Sequence, residues 1–325
     1  MSHALKYYPK DSVLFITCSA EENLPFVPNM VINAILEGIL ARSQTLYPQE
    51  ICGYTFMANH LHMMLRVTMP DLLADFMRYL KSESASAINR LLGRKQHTVW
   101  SEGYDSPIML TPDMVTEKLA YIYLNPAKAR LVNSIDDYPG LSSWKAVTEQ
   151  ETRKDVLWIK NSTITKLNKL EMNFSEQTEA LQALKRKNSK MHELIITPNS
   201  WMKSFENLPN ADHRAFNDEL IRQVKYAEAE YKKAKPKIVG IRALIRTRIN
   251  SEYESKRKGR RTLFISSDVA LRIRAIRWRK IQSRLAREAW RLLKFGQKAE
   301  IPPGFYGPGR SISSNTIYFM DLIFA

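Results

Sequence analysis

The chain has 325 residues, a hydrophobic fraction of 44% and an aromatic fraction of 10%, values that are typical of folded proteins and exclude a disordered one. Its length favours two domains, each able to bury a core. The two cysteines, Cys18 and Cys52, lie inside apolar runs, which excludes a disulfide framework and fits a reducing cytosol. No signal segment opens the chain and no apolar run is long enough to span a bilayer, so we expect a cytoplasmic protein.

The positive charge is concentrated in one region. The net charge is +16 and the isoelectric point is near 9.7. Between Lys232 and Lys298 there are 22 Lys and Arg residues against 4 Asp and Glu residues, so the remainder of the chain is close to neutral. A basic region of this kind is typical of a protein that binds nucleic acid. A solvated surface and a membrane-facing patch are the alternatives that the charge alone leaves open.

The first third of the chain predicts a strand, a helix, two strands, a helix and a further strand. In chain order these elements are a strand at 11–19, a helix from Asn29 to 46, strands at 51–58 and 60–68, a helix at 70–93 and a strand at 107–110. This order is the split βαβ, or ferredoxin-like, pattern. In that topology the first and third strands are central, so residues on the third strand lie on a rigid platform.

The third predicted strand carries two histidines, His60 and His62, separated by Leu61. Because side chains alternate along a strand, the two imidazoles share one face and Leu61 takes the other. Two imidazoles about 7 Å apart on one face can converge on one metal ion. The alternative is that both are ordinary hydrogen-bonded strand residues.

A further helix is predicted after Thr111, and it carries Tyr121 and Asn125. These two residues are four apart, hence on one face if the helix reaches Asn125. Pro126 disfavours helical geometry at the residue before it, so we expect the helix to end or kink there. Tyr123 points about 200° away from Tyr121 on a helix and is expected to pack in the core.

Beyond residue 148 we expect a connector at 149–210 and a basic helical extension at 211–325. Helices are predicted from Phe216 to Lys235 and from a cap at Ser267 to Lys294, the second with Leu271, Trp278, Ile281, Leu285 and Leu292 on an apolar face. Three sets of basic residues are candidate DNA-binding residues. They are Arg94 and Lys95 in a loop, the cluster Lys256, Arg257, Lys258, Arg260 and Arg261, and the helical stripe Arg277, Lys280, Arg284, Arg287, Arg291 and Lys294.

Four motifs together resemble the single-tyrosine HUH transposases, and most closely the REP-associated tyrosine transposases of bacteria. The motifs are Asn59-His-Leu-His62, Trp100-Ser-Glu-Gly-Tyr104, Tyr121-Ile-Tyr-Leu-Asn-Pro126 followed by Lys128-Ala-Arg-Leu-Val132, and Asp137-Tyr138 before Ser142-Ser143. They follow the family order from about residue 12 to residue 145. Ala127 stands where relatives usually have Val, and Leu141 where they often have Trp, and both departures affect packing only.

The resemblance implies a 1–148 catalytic domain with the HUH version of the ferredoxin-like fold, in an α+β chain whose antiparallel sheet has helices on one side. It implies that Tyr121 cleaves single-stranded DNA and becomes joined to its 5′ end. It implies that His60, His62 and Asn125 hold Mg²⁺ or Mn²⁺. The implied substrate is hairpin DNA such as REP elements, handled near the bacterial nucleoid by a monomer or a homodimer.

Two other functions remain open at this point. One is a domesticated protein that binds DNA or RNA hairpins and does not cut. The other is an HUH replication initiator or relaxase, which uses the same chemistry. The single candidate tyrosine and the Tyr-Ile-Tyr-Leu-Asn-Pro context favour the transposase.

Overall fold

The computed structural model describes residues 6–21, 29–95, 97–167, 171–186, 189–206, 208, 212–234, 237–247 and 262–306. The strands within these ranges are β1 (Val13–Ser19), β2 (Glu50–Phe56), β3 (His60–Arg66), β4 (Ile108–Met109), β5 (Arg153–Ile159), β6 (Ser189–Ile195) and β7 (Phe264–Ile265). The helices are α1 (Met30–Leu46), α2 (Pro70–Leu92), α3 (Pro112–Lys128), α4 (Trp144–Thr148), α5 (Phe174–Lys185), α6 (His213–Ala234), α7 (Ile241–Ile245) and α8 (Val269–Lys294). None of the described helices has the length and apolar character needed to cross a membrane.

The main sheet has five strands in the order β2-β3-β1-β4-β7. The pairs formed by β1 with β3, β2 with β3 and β1 with β4 are antiparallel, whereas β4 and β7 run parallel. The first four strands therefore have the ferredoxin-like order, with β1 and β3 side by side in the centre. The predicted α+β class is confirmed, and the third strand has the central position expected of it.

Alternation along β3 divides the protein into two cores. Leu61, Met63 and Leu65 point into a core formed with α1 and α2. Met64 points into a second core, on the opposite face, which is formed with α3 and α6. The helices thus cover both faces of the sheet, and the expectation that they lie on one side was wrong in this respect. The physical reason is that consecutive residues of β1 and β3 are apolar, so apolar side chains point from both faces of the sheet and both faces must be covered.

Local sequence signals explain the ends of the first helices. The side chain of Asn29 accepts hydrogen bonds from the backbone N–H groups of Val31 and Ile32, and so caps α1 as predicted. Helix α2 begins at Pro70, whose missing N–H costs nothing at a first helical position. It ends at Gly93, which has a φ of 64° and takes the left-handed conformation that favours glycine.

Helix α3 continues through Pro126 to Lys128, so of the two outcomes expected at Asn125, an end or a kink, the end is wrong. Proline removes one backbone donor, but the next turn still closes. The N–H of Ala129 donates to the carbonyl of Asn125, and the N–H of Leu131 donates to that of Pro126. Asn125 consequently has helical geometry one turn after Tyr121.

Residues after 148 pack closely against the elements that precede them. Strands β5 and β6, which α5 separates in the chain, form a two-stranded antiparallel sheet that contacts α1, and α6 packs along α3. This small sheet lies in the segment expected to be a connector, where the mixed polar sequence gave no strand signal. Strand β7 pairs with β4 at the edge of the main sheet, and Tyr7 bridges to Phe305.

Helix α8 lies on the core that also contains α1 and α2. Its cap is Asp268, whose carboxylate accepts a hydrogen bond from the N–H of Leu271, and not Ser267 as expected. Its buried positions are Leu271, Ala275, Arg279, Ala286 and Ala289. Ile281 and Leu285, which were assigned to its apolar face, are exposed. Three of these five buried positions are alanines, and Ile276, Trp278 and Leu293 pack beside them, so the docked face is rotated away from Ile281 and Leu285.

Candidate functional site

The two histidines of β3 lie side by side on the face of the sheet that carries α3. Their ring centroids are 4.7 Å apart. This is less than the spacing of about 7 Å between alternate residues of a strand, so the rings lean towards each other. His62 is buried and stacks on Phe15 of β1, with ring centroids 5.3 Å apart. His60 is half-buried at the start of the strand.

Each imidazole is held by a hydrogen bond to its Nδ1. His60 Nδ1 lies 2.8 Å from Asn59 Oδ1, and because an amide oxygen only accepts, Nδ1 is the donor. His62 Nδ1 lies 3.1 Å from Oγ1 of Thr17, the residue directly opposite it on β1. With Nδ1 of His60 donating, its Nε2 carries a lone pair. The Thr17 hydroxyl can accept from Nδ1 of His62 in the same way, which would leave Nε2 of that ring with a lone pair as well. This is the arrangement in which outer hydrogen bonds orient metal-binding histidines.

Burial keeps both imidazoles neutral at physiological pH. It lowers the pKa of His60 to about 4. For His62, burial and then the charge of His60 lower the pKa well below its ordinary value. A neutral imidazole is the form that binds a metal ion.

Helix α3 presents Tyr121 to these rings. The Tyr121 ring lies edge-on to His62 with centroids 5.2 Å apart, and edge-on to Phe15 with centroids 6.1 Å apart. Tyr121 is half-buried, so the site is open to solvent on one side. The sequence assigned the nucleophile to this tyrosine, and the structure brings it to the histidine pair.

Tyr123 takes the opposite direction and is fully buried, as expected. Its hydroxyl lies 3.0 Å from Oγ of Ser143, and its ring packs on Trp144 with centroids 4.9 Å apart. Gly53 of β2 permits this approach, because a Cβ at that position would lie only 2.6 Å from the Tyr123 hydroxyl. Tyr123 therefore anchors α3 to the sheet and leaves Tyr121 on the open face.

Asn125 follows Tyr121 by one helical turn on the same face of α3. Its side chain is buried, and its amide nitrogen has no hydrogen-bond partner among the residues that the structure describes. No three His, Cys, Asp or Glu side chains converge within those residues. An amide binds a metal ion through its oxygen, so the unpaired nitrogen is not itself a ligand. Two neutral imidazoles and the amide oxygen of Asn125 would form a donor set that suits a divalent metal ion with open positions for water and substrate.

Two lysines on α3 flank Tyr121, and the sequence analysis gave them no role. Lys118 Nζ is 5.8 Å and Lys128 Nζ is 5.0 Å from the centroid of the Tyr121 ring. Lys118 also pairs with Glu117 at 2.7 Å. The signal that identifies them is spacing, because positions three before and seven after Tyr121 fall on its face of the helix. Thr17 and Phe15 were missed likewise, since they come from another strand.

A cleft of about 480 Å³ opens beside Tyr121, between α3 and α6, and is here called the α3–α6 cleft. Tyr121, Leu124 and Lys128 line it from α3. Gln223 and Tyr231 line it from α6. Because α6 lies far along the chain, the sequence gave no sign that it forms a wall of this site.

The candidate DNA-binding residues that the structure describes lie in a loop and on α8. Lys95 is exposed and Arg94 half-buried in the loop after α2, which leads to the bridge between Trp100 and Ala20 at the end of β1. The six basic residues of the α8 stripe are all exposed, on the side of that helix opposite its buried alanines. The cluster Lys256, Arg257, Lys258, Arg260 and Arg261 lies outside the described residues.

Comparison with known proteins adds two findings. The family model described as "Transposase IS200 like" matches residues 20–122, a range that contains both histidines and Tyr121. A solved structure of a REP-associated tyrosine transposase bound to a REP hairpin matches with 18% identity and a TM-score of 0.40, over 46% of this chain and 87% of that chain. No curated protein matches. The family match confirms the resemblance over residues 20–122 and supports a DNA-processing activity of the transposase type.

Proposed function

Since residues 20–122 match the IS200-like transposases, we propose that this protein is a single-strand DNA endonuclease and strand transferase that acts on hairpin DNA. Tyr121 is the nucleophile, and His60, His62 and Asn125 are the metal ligands. The observation that carries the proposal is the position of the Tyr121 ring against His62, with the imidazole pair neutral and Tyr121 accessible to solvent.

The reaction is an exchange of phosphodiester bonds. The Tyr121 hydroxyl oxygen bonds to the scissile phosphorus and loses its proton, while the bond from phosphorus to the 3′ oxygen breaks and that oxygen takes up a proton. The products are a 5′-phosphotyrosine on one strand and a free 3′-OH on the other. Because the phosphotyrosine conserves the bond energy, the 3′-OH of another strand can reverse the step and join to it.

The residues of β3 and α3 supply the setting for this step. IS200-like transposases generally use a divalent metal ion, and Mg²⁺ or Mn²⁺ bound here would polarise the scissile phosphate and stabilise its developing charge. Thr17 and Asn59 fix the directions of the two imidazoles. Tyr123, locked in the core, fixes the rotation of α3 about its axis and thus the position of Tyr121.

The test is the covalent adduct. Hairpin-bearing single-stranded DNA labelled at its 3′ end is incubated with protein and Mg²⁺ or Mn²⁺, then run on a denaturing protein gel. We expect label to move with the wild-type protein, and Tyr121→Phe to abolish this while binding the hairpin normally. Tyr226→Phe, at an exposed tyrosine outside the site, is the matched control and retains the adduct. Hairpin binding with no covalent band under either metal would favour the non-cleaving hairpin-binding protein.

The metal role has its own test. His60→Ala should abolish cleavage at every metal concentration, because it removes one of the two imidazoles. His97→Ala, at an exposed histidine outside the pair, should leave cleavage unchanged. Cleavage by His60→Ala at the wild-type rate would remove the metal role from β3.

We also propose that the α8 stripe binds the DNA backbone. Its six cations are exposed and opposed by few acidic residues, so phosphate is a suitable counterion. Each lost phosphate contact should reduce the slope of log K against log salt by about one. The variant replaces Arg284, Arg287 and Arg291 by Gln. An unchanged slope for hairpin binding would exclude α8 from the DNA interface.

A further inference from the structure

The α3–α6 cleft is the open volume that the Tyr121 ring itself lines. One wall is α3, which carries the proposed nucleophile. The other wall is α6, which lies outside residues 20–122, so nothing in the family match assigns it a role. At about 480 Å³ the cleft is within the range of about 300–1,000 Å³ that is usual for sites of small organic ligands.

The two ends of this cleft differ in charge. Lys128 is exposed at one end, and its recorded contact is with the Tyr121 ring. Asp113 and Glu117 line the other end, and Glu117 is about 16 Å from Lys128 along the helix at 1.5 Å per residue. A phosphate is therefore favoured at the Lys128 end and disfavoured at the acidic end.

The walls between these ends suit a nucleobase. Tyr231 is half-buried and offers an aromatic ring, Gln223 is exposed and offers an amide, and Leu124 is apolar. Bases bind proteins by stacking on aromatic rings, while amide groups hydrogen-bond their edges. A lysine, an aromatic ring and an amide in one cleft are the three contacts that a single nucleotide needs.

We propose that the α3–α6 cleft binds the first nucleotide of the strand that becomes attached to Tyr121. This inference rests on the proposed function, because the attachment fixes which strand is involved. The phosphotyrosine bond leaves the 5′ oxygen of that nucleotide on the phosphate held by Tyr121. Its sugar and base must therefore lie within one nucleotide of the Tyr121 hydroxyl, and the cleft is beside that ring. Lys128 contacts the next phosphate, and Tyr231 stacks on the base.

The role of such a site is retention. The attached strand must wait at Tyr121 until a 3′-OH arrives, and the base contacts hold it in line with the open face of α3. Tyr231, Gln223 and Lys128 are accordingly binding and positioning residues for the attached strand. Their loss should raise KM for adduct formation more than it lowers kcat.

The experiment is a double-mutant cycle in which one change is made in the protein and the other in the DNA. The cleavage position is first mapped with wild-type protein, and a second substrate then carries an abasic site at the first nucleotide after it. We expect Tyr231→Ala and the abasic site each to raise KM about tenfold, the loss of one stacked base. Together they should raise it no further than either alone, because both remove the same contact.

Matched controls separate this contact from a change of fold. Tyr231→Phe keeps the ring and should restore most of the KM that Tyr231→Ala loses on the normal substrate, whereas a change of fold would not be rescued by the ring. An abasic site just before the cleavage position should combine additively with Tyr231→Ala. Lys128→Gln should reduce the salt dependence of KM, whereas Lys145→Gln, at an exposed lysine outside the cleft, should not.

The outcomes distinguish the two proposals. Adduct formation by wild type, with additive effects of Tyr231→Ala and the abasic site or no effect of either, would overturn the nucleotide site and leave the proposed function intact. Failure of wild type to form an adduct with any hairpin substrate would overturn the proposed function, and the nucleotide site with it.

Discussion

Replacement of Glu228 should weaken the docking of α6 beside α3. Its carboxylate is buried, with a residue exposure of 5%. It accepts hydrogen bonds from the N–H of Ile135 at 2.5 Å and from Oγ of Ser134 at 2.8 Å, and it pairs with Lys225 at 3.1 Å. The contacts with Ile135 and Ser134 join α6 to the turn that follows α3, whereas Lys225 lies on α6 itself. Glu228→Ala removes all three.

The expected cost follows from which partners can return to water. The N–H of Ile135 is buried and loses the carboxylate that accepts its hydrogen bond, which costs about 1–3 kcal/mol. Lys225 has 38% of its side chain exposed and keeps its contact with Asp136, so it rehydrates at little cost. Removing one partner of a fully buried ion pair costs about 3–5 kcal/mol, so this half-exposed pair lies at the lower end. We expect a loss of about 3 kcal/mol in the free energy of unfolding.

Urea unfolding measures this loss, and Glu230→Ala on the same helix is the matched control. Glu230 has 48% of its side chain exposed and pairs with Lys233 on the surface, so its replacement should cost less than about 0.5 kcal/mol. Hydrogen exchange along α6 should become faster in Glu228→Ala before the sheet is affected. Equal unfolding free energies for the two variants would refute the reasoning, because burial and pairing would then make no difference.

Three further outcomes follow from the site. Thr17→Val removes the hydrogen bond to His62 and should raise the metal concentration needed for cleavage about tenfold. A titration of cleavage rate against metal concentration measures this, and an unchanged curve would contradict a role of Thr17 in orienting His62. Gly53→Ala forces a Cβ against the Tyr123 hydroxyl and should lower the free energy of unfolding by about 1–3 kcal/mol. A thermal melt should show a lower melting temperature, and an unchanged one would contradict the close packing of Tyr123 on Gly53. Burial lowers the pKa of His60 to about 4 in the folded protein, so the unfolded chain, whose histidine has a pKa of about 6.5, is protonated at higher pH. The free energy of unfolding of the metal-free protein should therefore decrease as the pH falls from about 6.5 to about 4. The decrease should be smaller in His60→Gln.

The elements that carry the candidate site follow from the sequence because their signals are local. The cap at Asn29, the first-turn proline Pro70 and the terminal Gly93 mark helix ends by short-range hydrogen bonds and backbone preference. Alternation places His60 and His62 on one face of β3 without any knowledge of the other strands. The helical spacing of Tyr121 and Asn125 predicts a shared face in the same way.

The parts that the sequence did not predict depend on contacts between distant residues. Strands β5 and β6 are stable because they pair with each other and contact α1, and neither has a marked apolar alternation of its own. Ile281 on α8 is exposed because the docked face of that helix contains three alanines. Hydrophobic periodicity predicts that the larger apolar residue is buried, so it could not identify this face. The wall that α6 adds beside Tyr121 likewise follows from tertiary packing alone.

The edge strand β7 has a consequence for how the protein is synthesised. A strand edge left unpaired is a template for pairing with another chain. The outer edge of β4 is covered by β7, and Tyr7 near the start of the chain bridges to Phe305 near the end of the described residues. A ribosome must therefore release most of the polypeptide before this edge closes. A nascent or truncated chain that stops short of Phe264 would expose β4 and should be prone to aggregate.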